Sequence, residues 1–285
     1  MQQTQTSSDG SSSFIKSIFA ILAMVTALVV AFLIYFYVFG KDSNFITDDK
    51  GHREPIAEGM GHWYATIYKG GIIVPVILSM LIMVITFSIE RVLTIARATG
   101  TGNMDSFLKR VKILLDDNKL DAAIAECDKQ KGSVGNVIQA GLEKYKQVLA
   151  DDEMDKDEKL AAIQKELEEA TTLELPMLEK NLSIIATIAS IATLMGLLGT
   201  VLGMIRAFSA LASAGAPDAS ALSTGISEAL INTAFGIGTS ALAIILYNTF
   251  TTSIDKLTYR IDEAGFTISQ NFASHYSKKQ GKISA

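Results

Sequence analysis

The run Gly225-Ile226-Ser227-Glu228-Ala229-Leu230-Ile231-Asn232-Thr233-Ala234-Phe235-Gly236 places a carboxylate at the mouth of an apolar stretch with no further charge until Asp255. The stretch is long enough to cross a bilayer, where an ionisable side chain costs about 2.5–3.5 kcal/mol at mid-depth on insertion scales. A carboxylate kept there faces a protein interior or a water path rather than lipid. Glu228 therefore points to ion movement. At about 100° per residue, Thr224, Glu228, Asn232, Phe235 and Thr239 share one helical line, while Thr233, Gly236 and Ser240 mark a second face. Thr233 lies about 140° from Glu228 on an ideal helix, so one regular helix cannot aim both at one point. Either one face lines a lumen while the other meets a neighbouring helix, or the helix is irregular near Gly236 and Gly238. Upstream, Thr193 and Thr200 form a polar line, and Gly199 and Gly203 form a small-xxx-small pair that lets another backbone come close. No basic residue lies inside the last span. Arg206 is the nearest partner for Glu228 in the sequence.

These groups need spans to hold them. The 285-residue chain is 49% hydrophobic, with a mean hydropathy of +0.30. Its apolar content is concentrated in four uncharged blocks, 17–40, 70–89, 181–205 and 229–254. Each is roughly 20 residues or more, which at 1.5 Å per residue crosses the hydrocarbon core. The expected fold is an all-α polytopic membrane protein with four transmembrane helices and a helical cytoplasmic domain. The first block is too long for a secretory signal and ends in the aromatic run Tyr35-Phe36-Tyr37-Val38-Phe39, so a retained anchor over 14–40 is expected. The Ser/Gln/Thr-rich tail 1–13 reads as disordered. Between spans two and three, residues 90–180 carry helical stripes: Phe107, Val111 and Leu114; Val134, Val137, Ile138 and Tyr145; Leu160, Ile163, Leu167 and Ala170. Pro176 is expected to kink or interrupt the last of these helices. No strand-like alternation stands out.

Lys and Arg at span ends set the orientation. Arg91 and Arg97 follow the second span, Lys180 precedes the third, and Lys256 and Arg260 follow the fourth, whereas 209–227 holds neither residue type. Residues 90–180 and the tail 255–285 are then cytoplasmic, and by parity the loop 41–69 is outside and the N-terminus inside. Lys41, Lys50, Arg53 and Lys69 in that loop oppose this assignment, but the other span ends agree with one another. Trp63, Tyr64 and Tyr68 read as headgroup anchors. His52 and His62 lack the spacing of a metal site. Cys127 has no partner for an internal disulfide and reads as the buried face of a short helix. A net charge of −5 without a basic patch argues against nucleic acid.

The segment Leu194-Met195-Gly196-Leu197-Leu198-Gly199-Thr200-Val201-Leu202-Gly203-Met204, followed by residues 225–236 and Leu246-Tyr247-Asn248, resembles the ExbB/TolQ branch of the MotA/TolQ/ExbB family. The resemblance covers about 70–252, with spans 70–89, 181–208 and 227–254, and includes the Glu90-Arg91 pair. It departs from the family at Thr193 and near Leu242, where prolines are frequent, and in the additional first span. The resemblance implies a functional threonine, matched by Thr200, and a glutamate with a second threonine five residues later, matched by Glu228 and Thr233, along a proton path; Asn232 shares the Glu228 line, and Gly199, Gly203 and Gly236 are expected to serve helix packing. It implies a homopentamer in the inner membrane around a dimer of single-span ExbD/TolR-like proteins that supply an intramembrane aspartate. A TonB- or TolA-like protein would receive the force, and no cofactor is implied. A flagellar-type stator subunit is the nearest alternative. A secondary transporter usually shows internal repeats, which are missing here. A membrane enzyme would need a nucleophile–base pair, metal cluster or phosphate loop, and none stands out.

The charge pattern makes a topological prediction. Single cysteines at Ser43 and Ser213 in a Cys127→Ser background should react with an impermeant maleimide in right-side-out vesicles, while Ser12→Cys and Ser277→Cys should not. Reversed labelling at Ser213 would overturn the orientation.

Overall fold

The computed structural model describes residues 9–47, 53–151, 153–213 and 219–283. It divides into two compact units, one made of Met1–Ile89 and Asn181–Tyr247, the other of Glu90–Lys180 and Asn248–Ala285. Among the described residues, four helices are long and apolar enough to cross a membrane. They are α1 (Asp9–Leu33, extended by π-helical turns over Ile34–Phe39), α3 (Ile73–Thr99), α8 (Leu182–Ser213) and α9 (Ala219–Ile283). Residues 9–13, expected to be disordered, belong to α1, while the rest of that tail lies outside the described residues. Helix α9 runs unbroken for 65 residues, so the span expected over 227–254 and the tail after it are one element. Both α8 and α9 also run on through Thr193 and Leu242.

In the first unit, α1 packs through small and aromatic residues. Ala31, Tyr35 and Phe39 form a buried cluster with Val74 and Leu78 of α3, flanked by Tyr64, Ile67 and Tyr68 of α2 (Met60–Tyr68). The opposite face of α1 leaves Ile21, Leu22, Val25, Leu33 and Phe36 exposed, as a lipid-facing stripe requires. The aromatic belt expected at the end of this span is therefore split. Tyr37 is exposed, but Tyr35 and Phe39 are core residues. The same correction applies to α2: Trp63 is exposed, but Tyr64 stacks on Phe39 and Tyr68 on Tyr35. The loop also holds two strands, β1 (Phe45–Thr47) and β2 (Arg53–Pro55), paired antiparallel with Phe45 opposite Pro55. Three residues per strand are too few for alternation to register in a sequence. His62 Nδ1 is 2.7 Å from the Ile56 carbonyl, a loop-closing role. Lys50 and His52 lie outside the described residues.

The second unit contains α4 (Met104–Asp116), α5 (Leu120–Gln130), α6 (Gly132–Ala150) and α7 (Lys156–Glu179), with the C-terminal part of α9. Asn103 caps α4 by accepting from the Ser106 amide at 3.2 Å, and Asp155 with Glu158 forms a capping box on α7; each relieves unpaired helix-end amides. The α4 stripe is Phe107, Val111 and Leu115 rather than Leu114. On α6, Val134, Val137, Ile138 and Tyr145 are all buried, and on α7 Ile163 and Leu167 are buried while Leu160 and Ala170 are half-buried. Pro176 does not interrupt α7, which continues to Glu179. Proline removes one amide and crowds the preceding turn, but its carbonyl still accepts from the Lys180 amide at 3.1 Å. The break comes at Asn181, whose φ of 65° lies in the left-handed region. Arg91 is only 1% exposed and donates to the Met177 and Leu178 carbonyls at 3.3 and 2.9 Å, closing the C-terminal end of α7. Tyr145 donates to Asn271 of α9 at 3.2 Å, and its ring meets Phe272 edge-on at 5.1 Å.

Cys127 is buried on α5 as expected. Burial first, then the neighbouring Asp128 and Glu126 charges, push its thiol up to about 12. A raised value favours the neutral thiol of the fold, so its contribution is whole below about pH 9 and drains away as pH rises toward 12. At pH 8 the native thiol should react with a disulfide reagent about a thousandfold more slowly than the unfolded chain, since only the thiolate attacks. Equal rates would mean that the thiol is reachable and ionised in the folded unit.

Candidate functional site

Helices α8 and α9 meet along a seam of small residues. A Cβ built on Gly203 would lie 2.8 Å from both the Ala229 nitrogen and the Gly225 oxygen. One on Gly196 would lie 2.9 Å from the Asn232 oxygen, and one on Gly236 would lie 2.6 Å from the Ala192 oxygen and 2.7 Å from the Gly196 Cα. Backbone meets backbone here, which only residues without a side chain permit. Gly199 abuts the Asn232 side chain, with the amide nitrogen 2.8 Å from where a Cβ would sit. Gly199, Gly203 and Gly236 thus join two helices of the same chain.

Because the backbones approach so closely, short hydroxyl side chains reach across the seam. Thr200 and Thr233 are hydrogen-bonded through their hydroxyls, and the Thr200 hydroxyl also stands 3.3 Å from the carbonyls of Gly196 and Ala229. The Thr233 hydroxyl reaches the Gly196 carbonyl at 3.4 Å. Lower on the same seam, Ser240 donates to the Ala189 carbonyl. Thr193, which the heptad spacing grouped with Thr200, is exposed instead. The second face of α9 therefore meets α8 through hydroxyl–carbonyl contacts.

The first face carries the charge. Glu228 is 7% exposed and forms an ion pair with Arg206 of α8, the partner suggested by sequence proximity. Pairing matters because an unpartnered carboxylate at this depth is costly. Asn232, fully buried one turn on, donates from Nδ2 to the Gly70 carbonyl at 2.8 Å. Its Oδ1 has no hydrogen-bond partner among the described residues. Thr239 continues this line as a buried residue, while Phe235 is half-buried and Thr224 exposed. Neither face requires an irregular helix: α9 is continuous, and nothing lies within 4 Å of a Cβ built on Gly238.

Glu228, Asn232, Thr200 and Thr233 are thus brought to one region of the α8–α9 pair, as two adjacent groups. The ion pair and Asn232 lie on one side, and the threonine bridge lies in the seam. Sequence reasoning missed the turn Gly70-Gly71, which packs on this site ahead of α3. Gly71 has φ of 72°, and a Cβ there would strike Glu228 Oε1 and stand 3.3 Å from an Arg206 nitrogen. The available signal was the Gly-Gly pair itself, which marks a special backbone position. No group of three or more His, Cys, Asp or Glu able to hold a metal occurs among the described residues.

Comparison with known proteins follows this geometry. Residues 129–263 match the sequence profile of the MotA/TolQ/ExbB proton channel family. The matched region contains Thr200, Arg206, Glu228, Asn232 and Thr233, but neither α1 nor the Gly70-Gly71 turn. A putative biopolymer transport protein ExbB-like 3 from Synechocystis is 42% identical over 86 residues, covering 30% of this chain and 41% of the relative. The Tol-Pal system protein TolQ of Pseudomonas aeruginosa is 28% identical over 154 residues, 54% of this chain and 67% of that protein. The biopolymer transport protein ExbB of Pseudomonas putida is 35% identical over 81 residues, 28% of this chain and 25% of that protein. The chain thus spans less than half of the Synechocystis relative.

The seam predicts an asymmetry between glycines. Gly203→Leu should lower the unfolding temperature in detergent, by about 1–3 kcal/mol or more of overpacking, whereas Gly238→Leu should melt close to wild type. Equal melting of the two variants would contradict the tight seam at Gly203.

Proposed function

From its membership of the MotA/TolQ/ExbB proton channel family, in the ExbB/TolQ branch, we propose that this chain is the polytopic subunit of an inner-membrane motor driven by the proton motive force. It would couple that force to energised transport or envelope work through a TonB- or TolA-like protein. The observation that carries the reading is the buried Glu228 carboxylate, paired with the exposed Arg206 beside the Thr200–Thr233 bridge, in spans that otherwise avoid charge. Glu228, Thr200, Thr233 and Asn232 supply the polar groups along which protons approach a partner. That partner is a single-span ExbD/TolR-like protein whose intramembrane aspartate takes and releases the proton.

The division of labour is physically adequate. Each charge crossing the membrane gains about 2.3 kcal/mol per 100 mV, so a few protons suffice to drive a modest reorientation. Glu228 can exchange its Arg206 partner for a passing proton, since protonation cancels the charge that holds the pair. Thr200 and Thr233 each carry one hydroxyl that both donates and accepts, which suits a relay. Five copies around a dimer of the partner would make a closed frame, with both termini cytoplasmic and lipid on the outer faces.

Glu228→Gln keeps shape and removes ionisation. In proteoliposomes holding the complete complex, it should cut proton uptake about a hundredfold, as for loss of a positioned proton-transfer group, while insertion and protein level stay normal. Wild-type uptake by Glu228→Gln would remove Glu228 from the proton path.

A further inference from the structure

We infer that Tyr35, on the π-helical turns that end α1, is a positioning residue for Glu228, acting through the Gly70-Gly71 turn. The inference rests on the proposed role of Glu228 and adds to it a helix outside the matched region. Tyr35 is 5% exposed, and its ring stacks on Tyr68 with centroids 4.7 Å apart and planes at 21°. Its hydroxyl donates to the Tyr68 carbonyl at 3.0 Å. That same carbonyl accepts from the Gly71 amide at 3.2 Å. One oxygen therefore ties α1 to the turn.

The turn in turn bears on the site from two directions. Gly70 presents its carbonyl to Asn232 Nδ2 at 2.8 Å. Gly71 lies against the Glu228 carboxylate in a left-handed conformation that leaves no room for a side chain. A backbone that closes over a buried carboxylate sets how much space and which dipoles that carboxylate meets, and so bears on its proton affinity. The anchoring end of the device is firm. Asn44 donates to the Val38 and Phe39 carbonyls at 2.7 and 3.2 Å, and Phe39 stacks on Tyr64 at 5.6 Å. Tyr35 and Phe39, four residues apart on these turns, share one side and stack on Tyr68 and Tyr64 of α2. Tyr68 is held from a second direction by Gly40, where a Cβ would meet its ring.

The charged group in contact with Glu228 is Arg206 of α8, with Tyr35 and Tyr68 joined to the turn through the Tyr68 carbonyl and Lys69 adjoining it in sequence. Tyr35→Phe keeps the ring and the stack and deletes only the bond to the Tyr68 carbonyl. The wild-type chain and variants, in lipid nanodiscs and labelled with carboxyl-13C glutamate, are titrated by difference infrared spectroscopy, with Glu228→Gln identifying the Glu228 band. Tyr35→Phe should displace the Glu228 midpoint by at least about half a unit, a threefold change in proton affinity, and speed hydrogen exchange in the peptide containing Gly70 and Gly71. Tyr37→Phe, on the exposed side of the same turns, should superimpose on wild type. A Tyr35→Phe midpoint equal to wild type overturns the inference, even if the melting temperature falls, because a merely structural tyrosine would move only the latter. The titration needs no partner protein, so its failure is separate from failure of the proton-uptake test on Glu228.

Discussion

The close approach of α8 and α9 is the constraint on which the site depends. Glycines at positions 196, 203 and 236 let backbone pack on backbone, and only at that separation can two threonine hydroxyls meet across the seam. In lipid there is no hydrophobic gain from bringing two apolar helices together, so packing and interhelical hydrogen bonds must do it. The same contacts that hold the helices therefore build the polar line. A bulky residue at Gly203 would part the helices and separate Thr200 from Thr233 together.

Charge placement follows from that pairing. With α8 and α9 locked in register, Arg206 near the end of one faces Glu228 near the start of the other. The buried Glu228 carboxylate is neutralised by the Arg206 guanidinium, whose own side chain stays exposed. Asn232 then spends its amide donor on the backbone of the Gly70-Gly71 turn, which joins the start of α3 to the site. The result is a buried polar group fed by three chain segments distant in sequence, and a fourth, α1, through Tyr35.

The second unit obeys the rules of soluble helical packing. Two of its helices, α4 and α7, are capped by side chains, and α4 to α7 pack in sequence order. The exception is Arg91, a fully buried guanidinium that meets two carbonyls at the end of α7. Cations are favoured at a helix C-terminus, where unpaired carbonyls gather. This makes sense of the Glu90-Arg91 pair structurally, with Glu90 bound to Arg91 through its carboxylate.

By itself the sequence determined the four spans, the helical second unit, the buried Cys127, the burial of Glu228 inside protein, and Arg206 as its partner. Each of these rests on a local property: uninterrupted apolar length, a 3.6-residue period, or a charge where lipid forbids one. Helical arithmetic on α9 separated the two polar faces, but it left open what each of them met. Only the tertiary structure decided that both faces meet α8, Thr233 through Thr200 and Glu228 through Arg206, and that Asn232 also reaches the Gly70-Gly71 turn. It also turned Tyr35, Tyr64 and Tyr68 from expected interfacial anchors into a packed cluster, and it exposed Thr193. Such outcomes depend on which distant segments come together, and a side chain's composition and spacing carry no record of what will lie opposite it.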